Sequence, residues 1–329
     1  MDFLNSFKTE LFSTKKTNFE EKALALFQFQ SKHNQIYNKY IHFLGIDPND
    51  VNEVHQIPFL PISFFKRHKV ITNSWNEEQI FQSSGTTGTT TSKHYVYSVN
   101  EYLANAQFIF KQHYGAVENY HFLALLPSYL ERNNSSLIFM VDHFIKGSKS
   151  SLSGFYLNNF DELEHNLKKA YSSERKVMLI GVTFGLLDFV EHYHFNMPEL
   201  VVMETGGMKG RRKEMVREEL HAIFKEKFAV PAIHSEYGMT ELLSQAYSKG
   251  EGRFNLPPTM KILIRDINDP FSYQSTGRNG GINVIDLANT DSCAFIETQD
   301  LGKVNSDNTF EVLGRFDNSD IRGCNLMVS

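Results

Sequence analysis

A doubly wound α/β fold followed by a smaller β unit is the expectation, and three observations lead to it. Short strand-like apolar runs alternate with helical segments up to about residue 245. After Gly250 the helical pattern stops and strand-like runs separated by Gly, Asn and Asp take over. Residues 18–44 carry apolar positions at helical spacing with no Pro or Gly. At 329 residues, 41% apolar and 22% charged, the chain is long enough to bury a core and is balanced like a globular protein, not a disordered tail or a disulfide scaffold.

In chain order, residues 1–65 read as a helical N-terminal region that closes on Ile57-Pro58-Phe59-Leu60-Pro61-Ile62. The prolines there break the helical pattern and predict an extended entry into the next unit. Residues 66–250 read as an α/β core, with strands over 120–126, 176–181, 199–203 and 230–234 and helices over 133–146, 183–193 and 211–228. Residues 251–315 read as a β subdomain with strands over 260–265, 281–287, 294–298 and 309–313, and residues 316–329 as a hinge stub and tail. Ligands on such sheets bind at the carboxyl ends of the strands.

Charge and composition narrow the function. With 33 Lys+Arg against 38 Asp+Glu the net charge is −5 and no basic block stands out, which argues against nucleic-acid binding. Asp2, Lys8 and Glu10 interrupt the first residues, so no signal-peptide core is present, and no apolar run approaches the roughly 18 residues of a membrane span. The expectation is a cytoplasmic protein without membrane insertion. Two cysteines, Cys293 and Cys324, are too few for a disulfide framework. Cys293 falls in a predicted strand and is expected in the core. The 28 phenylalanines fill a core or line an apolar pocket, with core the commoner use.

One segment is rich in Ser, Thr and Gly: Ser83-Ser84-Gly85-Thr86-Thr87-Gly88-Thr89-Thr90-Thr91-Ser92-Lys93. Alone it could be a flexible linker. Its flanks, Ile80-Phe81 and His94-Tyr95-Val96-Tyr97, have strand character and pin it as a hairpin. Glycines let backbone N–H groups converge, and hydroxyls add donors for phosphate oxygens. A Walker loop is absent, as are H-E-x-x-H, G-x-S-x-G and C-x-x-C. His192 and His194 do not have the spacing of a helical metal pair and read as surface or cap residues.

Ser84-Gly85-Thr86-Thr87-Gly88 resembles the phosphate loop of the adenylate-forming superfamily, which includes acyl-CoA synthetases and luciferases. Three further motifs follow in the order that superfamily has them. Glu236-Tyr237-Gly238-Met239-Thr240-Glu241 resembles its Y-G-x-T-E signature. Asp300 stands in a variant of T-G-D-x-G in which Gln299 replaces the glycine. Gly314-Arg315-Phe316-Asp317 resembles its G-R-x-D hinge. The narrower resemblance is to the LuxE-type acyl-protein synthetases, carried by IPFLPISFFK from Ile57, SSGTTGTTTSKH, HSEYGMTELLSQAY and GRFDNSDIRGCNL.

The resemblance implies the large-domain fold of adenylate-forming enzymes, with ATP and Mg2+ as cofactors. It implies activation of a carboxylic, commonly fatty, acid and transfer of the acyl group to a cysteine thiol, with an acyl-accepting protein such as a reductase or carrier as partner. Residue by residue, it implies a nucleotide site of Ser83, Ser84, Gly85, Thr86, Thr87, Gly88, Lys93, His94, Gly206, Gly207, Glu236, Tyr237, Gly238, Met239, Thr240, Asp300 and Arg315. Tyr237 would cover the adenine, Thr240 would contact the α-phosphate, Glu241 would hold Mg2+, and Cys324 would carry the acyl group. The superfamily's loop lysine lies three residues past the second glycine, where this chain has Thr91, and Lys93 follows two residues later. Adenylating enzymes continue past the hinge into a lid bearing a lysine. The sequence stops at Ser329, so the lid and its lysine are expected to be absent. A phenylacetate-type coenzyme A ligase and a non-catalytic nucleotide-binding module are the competing readings.

Overall fold

The computed structural model describes residues 3–83, 91–127, 134–206 and 215–316. The N-terminal region is helical: α1 (Phe3–Thr9), α2 (Phe19–His33) and α3 (Gln35–Phe43). Glu20 and Glu21 open α2, while Lys32 and His33 close it, which matches the helix dipole. The long helical pattern breaks at Asn34, whose side chain accepts the Tyr37 N–H at 3.0 Å and caps α3. Ala23, Leu26 and Phe27 bury one face of α2. The proline-rich stretch forms β1 (Leu60–Pro61), followed by the short helix α4 (Phe64–Arg67).

Next comes a two-stranded antiparallel hairpin, β2 (Gln79–Gln82) with β3 (Lys93–Val96), so the Ser/Thr/Gly segment joins two paired strands as its flanks predicted. Helix α5 (Val99–Tyr114) begins at Ser98, whose hydroxyl accepts the Glu101 N–H at 3.3 Å. Five parallel strands follow, β4 (Tyr120–Leu125), β5 (Gly154–Tyr156), β6 (Lys176–Val182), β7 (Val201–Thr205) and β8 (His234–Tyr237), interleaved with α6 (Ser136–Ser148), α7 (Phe160–Tyr171), α8 (Thr183–His192) and α9 (Arg217–Phe228). They lie in the order β5-β4-β6-β7-β8. Every residue of β4 is buried, as suits a strand covered on both faces. Phe110 of α5 and Phe144 of α6 pack on Phe122 of β4, and Phe160 of α7, Phe189 of α8 and Phe228 of α9 form a second aromatic layer.

Beyond β8 the same sheet continues antiparallel through β9 (Ala246–Ser248), β10 (Arg253–Asn255), β14 (Phe310–Arg315), β13 (Phe295–Val304), β12 (Gly280–Asp286) and β11 (Met260–Arg265). With β1 added in parallel to β13, the described sheet has twelve strands. The regions 66–250 and 251–315 therefore share one sheet.

Two expected strands are displaced. The strand expected over 230–234 begins at His234. Ala229 closes α9 in the left-handed region (φ 54°) and Pro231 has no N–H to give a ladder, so the apolar run before His234 is a connector. The strand expected over 199–203 starts at Val201, because Leu200 N–H turns back onto the Met197 carbonyl at 3.0 Å. No helix among the described residues is long and apolar enough to cross a membrane.

Candidate active site

The base of the Ser/Thr/Gly hairpin is fixed to the turn after β8. Alternation along β3 buries Ser92 and His94 and leaves Lys93 exposed on the other face. His94 Nδ1 donates to the Thr240 carbonyl at 2.9 Å, and its ring stands edge-on to Phe65 at 5.8 Å. Burial pushes the His94 pKa down to about 4, so the ring is neutral, and because a carbonyl only accepts, Nδ1 carries the proton. Ser83 and Ser92 close the neck of the loop. The Ser83 N–H donates to the Ser92 carbonyl at 3.1 Å and the Ser92 N–H to Ser83 Oγ at 3.0 Å. Ser84, Gly85, Thr86, Thr87 and Gly88 lie outside the described residues. Lys93 is exposed on the face opposite His94, where the strand's two-residue period sets it.

The turn carrying Gly238, Met239, Thr240 and Glu241 leads into β9 without a helix, and polar side chains from distant segments hold it. Buried Asp286, at the end of β12, accepts from Leu243 N–H at 2.8 Å, Ser244 N–H at 2.9 Å, Ser244 Oγ at 2.6 Å and Ala288 N–H at 3.1 Å. Asn289 donates to the Glu241 carbonyl at 2.8 Å, and Asn105 of α5 donates to the Leu243 carbonyl at 2.9 Å. Gln30 of α2 donates to the Asn289 carbonyl at 2.8 Å and accepts the Ala294 N–H at 2.9 Å. Sequence reading missed Asp286, Asn289, Asn105 and Gln30, whose partners are tens to hundreds of residues away. Glu241 is 4% exposed. Burial raises its pKa, opposed by a hydrogen bond from Ser92 and by the charge of Arg315.

A second group meets the first. Tyr237 Oη donates to Asp300 Oδ2 at 2.9 Å, and Arg315 Nε lies 3.3 Å from Asp300 Oδ1, the two residues being cross-strand partners of β13 and β14. Burial raises the Asp300 pKa, while Arg315 and the Tyr237 hydroxyl oppose the rise. The Tyr237 ring is 7% exposed and packs edge-on against Phe310 and Phe254 at 5.2 and 5.9 Å, so it offers little free face. Arg265, also missed from sequence, lies beneath. It donates to the carbonyls of Ile282 and Thr298 and to Asn283 Oδ1. Gly281 leaves it room, since a Cβ there would stand 2.3 Å from the Arg265 Cζ.

At the end of β7, Gly206 adopts φ 72°, and its carbonyl shares the single Thr183 hydroxyl proton with the Glu204 carboxyl, the latter at 2.8 Å. Glu236, half-buried at the end of β8, has its pKa pushed up to about 7 by burial and by Glu204. Gly207, Asp317 and Cys324 lie outside the described residues. Cys293 sits in the turn before β13, not in the strand, and is fully buried; burial pushes its thiol up to about 12, so it is a poor nucleophile. No group of three or more His, Cys, Asp or Glu is arranged for a metal among the described residues. A cavity of about 470 Å³ opens elsewhere, lined by Tyr40, Phe59, Phe271, Tyr273 and Glu297. Glu297 on its wall lies 3.7 Å from the Arg265 guanidinium.

Known proteins share parts of this chain. Residues 5–120 match the family described as acyl-protein synthetase, LuxE. A long-chain-fatty-acid luciferin-component ligase of Photorhabdus luminescens is 39% identical over 67 residues, 20% of this chain and 57% of that protein. A 2-hydroxyisobutyryl-CoA ligase solved with 2-HIB-AMP and CoA in its thioesterification state aligns over 97% of this chain and 70% of its own, with TM-score 0.67 and 11% identity. ATP-bound MatB from Rhodopseudomonas palustris aligns over 74% of this chain and 49% of its own, with TM-score 0.55 and 17% identity. The chain thus spans 57% of the curated relative and about half of MatB. Its fold is that of these solved ligase structures, and its residues 5–120 resemble the LuxE-type acyl-protein synthetases.

Proposed function

We propose that the chain is an acid-thiol ligase that activates a carboxylic, commonly fatty, acid with ATP to an acyl-adenylate and passes the acyl group to a protein cysteine. One observation carries this reading. The Ser83–Ser92 neck, His94, the turn bearing Thr240 and Glu241, and the Tyr237–Asp300–Arg315 group converge beside the carboxyl end of β8. That is where a doubly wound sheet binds its ligand.

In the first half-reaction a carboxylate oxygen of the acid bonds to the α-phosphorus as the bond to pyrophosphate breaks. The chain's task is to align two anions and absorb their charge. The loop backbone and the Thr240 hydroxyl donate to phosphate oxygens. Asp300, held by Tyr237 and Arg315, keeps lone pairs for ribose hydroxyls. The buried Tyr237 ring would meet the adenine over a limited area, beside Gly238 and Met239. Gly206 and Gly207 would bring backbone against the adenylate. A single hard carboxylate with phosphate oxygens is an ordinary donor set for Mg2+, and Glu241 fits it; bound there, the ion would neutralise triphosphate charge.

In the second half-reaction a thiolate attacks the acyl carbon and AMP leaves. Arg322 and Gly323 precede Cys324 in sequence, and a guanidinium beside a thiol favours the thiolate. An acyl-accepting protein in the cytoplasm is the further partner in this reading. The near-full alignment with a CoA-bound ligase supports a second acceptor, coenzyme A. ATP–pyrophosphate exchange over short-, medium- and long-chain acids tests the activation step; no acid-dependent exchange with any acid refutes it. Intact mass after incubation with ATP and the active acid separates the acceptors. A hydroxylamine-labile adduct lost in Cys324→Ser supports the protein thiol, and acyl-CoA formation without adduct supports the alternative.

A further inference from the structure

Two carboxyl groups stand at the ends of adjacent parallel strands and are served unequally. Glu204 on β7 accepts from Thr183 Oγ1 at 2.8 Å and from Ser235 Oγ at 3.2 Å, with His221 Nε2 3.7 Å from its Oε1. Glu236 on β8 has no hydrogen-bond donor and no cation at its carboxyl among the described residues. The strand register sets Ser235 beside Glu204 and Thr205 beside Glu236, so the two acids lie one step apart on opposite faces. On its own face Glu236 stands across from Tyr247 of β9, and Tyr102 of α5 also feels its charge. Its carboxyl folds back over the Gly238 backbone, where a Cβ would lie 2.2 Å from Glu236 Oε1.

We propose that Glu236 meets the substrate acid in its protonated form and donates a hydrogen bond to the acid's carboxylate oxygen. This rests on the ligase reading above. An ionised Glu236 would set a further negative charge beside a carboxylate and a triphosphate, with no donor of its own among the described residues to compensate. Where two carboxyls interact, the one with donors ionises and the one without keeps the proton. Glu204 has the donors. Burial, then Glu204, push the Glu236 pKa to about 7, within reach of neutral pH. The other titratable groups nearby are Tyr102 and Tyr247, which burial raises far above neutrality, His234 two positions earlier on the same strand face, which burial lowers to about 4, and His221 beside Glu204. The proton remains on Glu236, and no covalent bond changes.

Octanoate is a suitable soluble probe, ionised throughout pH 6 to 8. Its Kd, measured by equilibrium dialysis, is expected to rise about tenfold across that range in the wild type, as the protonated fraction of a group titrating near 7 falls from about nine-tenths to one-tenth. Glu236→Gln, a permanent donor of the same shape, is expected to flatten the profile, with circular dichroism confirming its fold. Glu204→Gln removes the neighbouring charge and is expected to move the rise to lower pH. The inference is overturned by an equal pH slope in Glu236→Gln, by a wild-type affinity that strengthens with pH, or by no octanoate binding at any pH. It is also overturned by a Glu236→Gln variant that is folded yet binds at no pH, which would mark Glu236 as an acceptor for a cationic substituent. Exchange measured with the same acid keeps the two readings apart. The expected pH profile without exchange refutes the ligase alone, and exchange with a flat profile refutes the role of Glu236 alone.

Discussion

Replacing His94 by glutamine and lowering the pH tests whether the hairpin is locked to the turn through a neutral, buried imidazole. The ring is 1% exposed and its pKa falls from 6.5 to about 4 on burial. In the unfolded chain it takes up a proton near pH 6.5, while the folded chain resists until about 4. Its contribution to stability is therefore complete above pH 6.5 and is lost as pH falls toward 4. Between pH 7 and 5 the loss is about 2 kcal/mol, because each tenfold change in a protonation equilibrium is worth about 1.4 kcal/mol. A glutamine in its place cannot titrate, although its amide can still donate to the Thr240 carbonyl. Equilibrium urea unfolding at pH 7 and pH 5 should show the wild type losing about 2 kcal/mol more than His94→Gln across that step. Other titrating groups, His234 among them, are common to both proteins and cancel in the comparison. Equal losses in the two proteins would refute the buried neutral ring.

Three further substitutions address the framework. Asp286→Ala strands the N–H groups of Leu243, Ser244 and Ala288 in the interior and should cost about 3 kcal/mol or more in denaturant unfolding; a loss under about 1 kcal/mol would mean that water replaces the carboxylate. Asp300→Asn keeps an acceptor for Tyr237 but loses the charge facing Arg315, and should raise the KM for ATP roughly tenfold in pyrophosphate exchange. An unchanged KM would remove Asp300 from the nucleotide site. Gly281→Ala drives a methyl group into the Arg265 guanidinium and should destabilise by about 1–3 kcal/mol, read as a lower urea midpoint; an unchanged midpoint would mean that Arg265 moves aside freely.

The sequence is most legible where a signal is local. Strands such as β11, whose bounds are met at Met260–Arg265, and the hairpin flanks around the Ser/Thr/Gly loop announce themselves by apolar runs between turn residues. The motif at Glu236 to Glu241 places Tyr237, Thr240 and Glu241, but not what steadies them. Asp286, Asn289 and Gln30 look like ordinary polar residues, because a buried polar side chain's partners depend on segments tens to hundreds of positions away. The direction of the Lys93 side chain follows from the strand's two-residue alternation, which a count from Gly88 does not carry. Helix α7 carries Leu163, Leu167 and Ala170 on its buried face, a readable pattern hidden by a charged remainder.

The amide of Gln30 ties helix α2 to residues 289–294, a separation of about 260 positions. During synthesis α2 emerges long before its partner segment exists, so the Gln30 amide and the side of Phe27 that meets Phe295 lack their partners while the rest of the sheet is made. The turn carrying Thr240 and Glu241 thus becomes firm only when both halves of the chain have met. Competence for the proposed chemistry is therefore among the last properties the folding chain acquires.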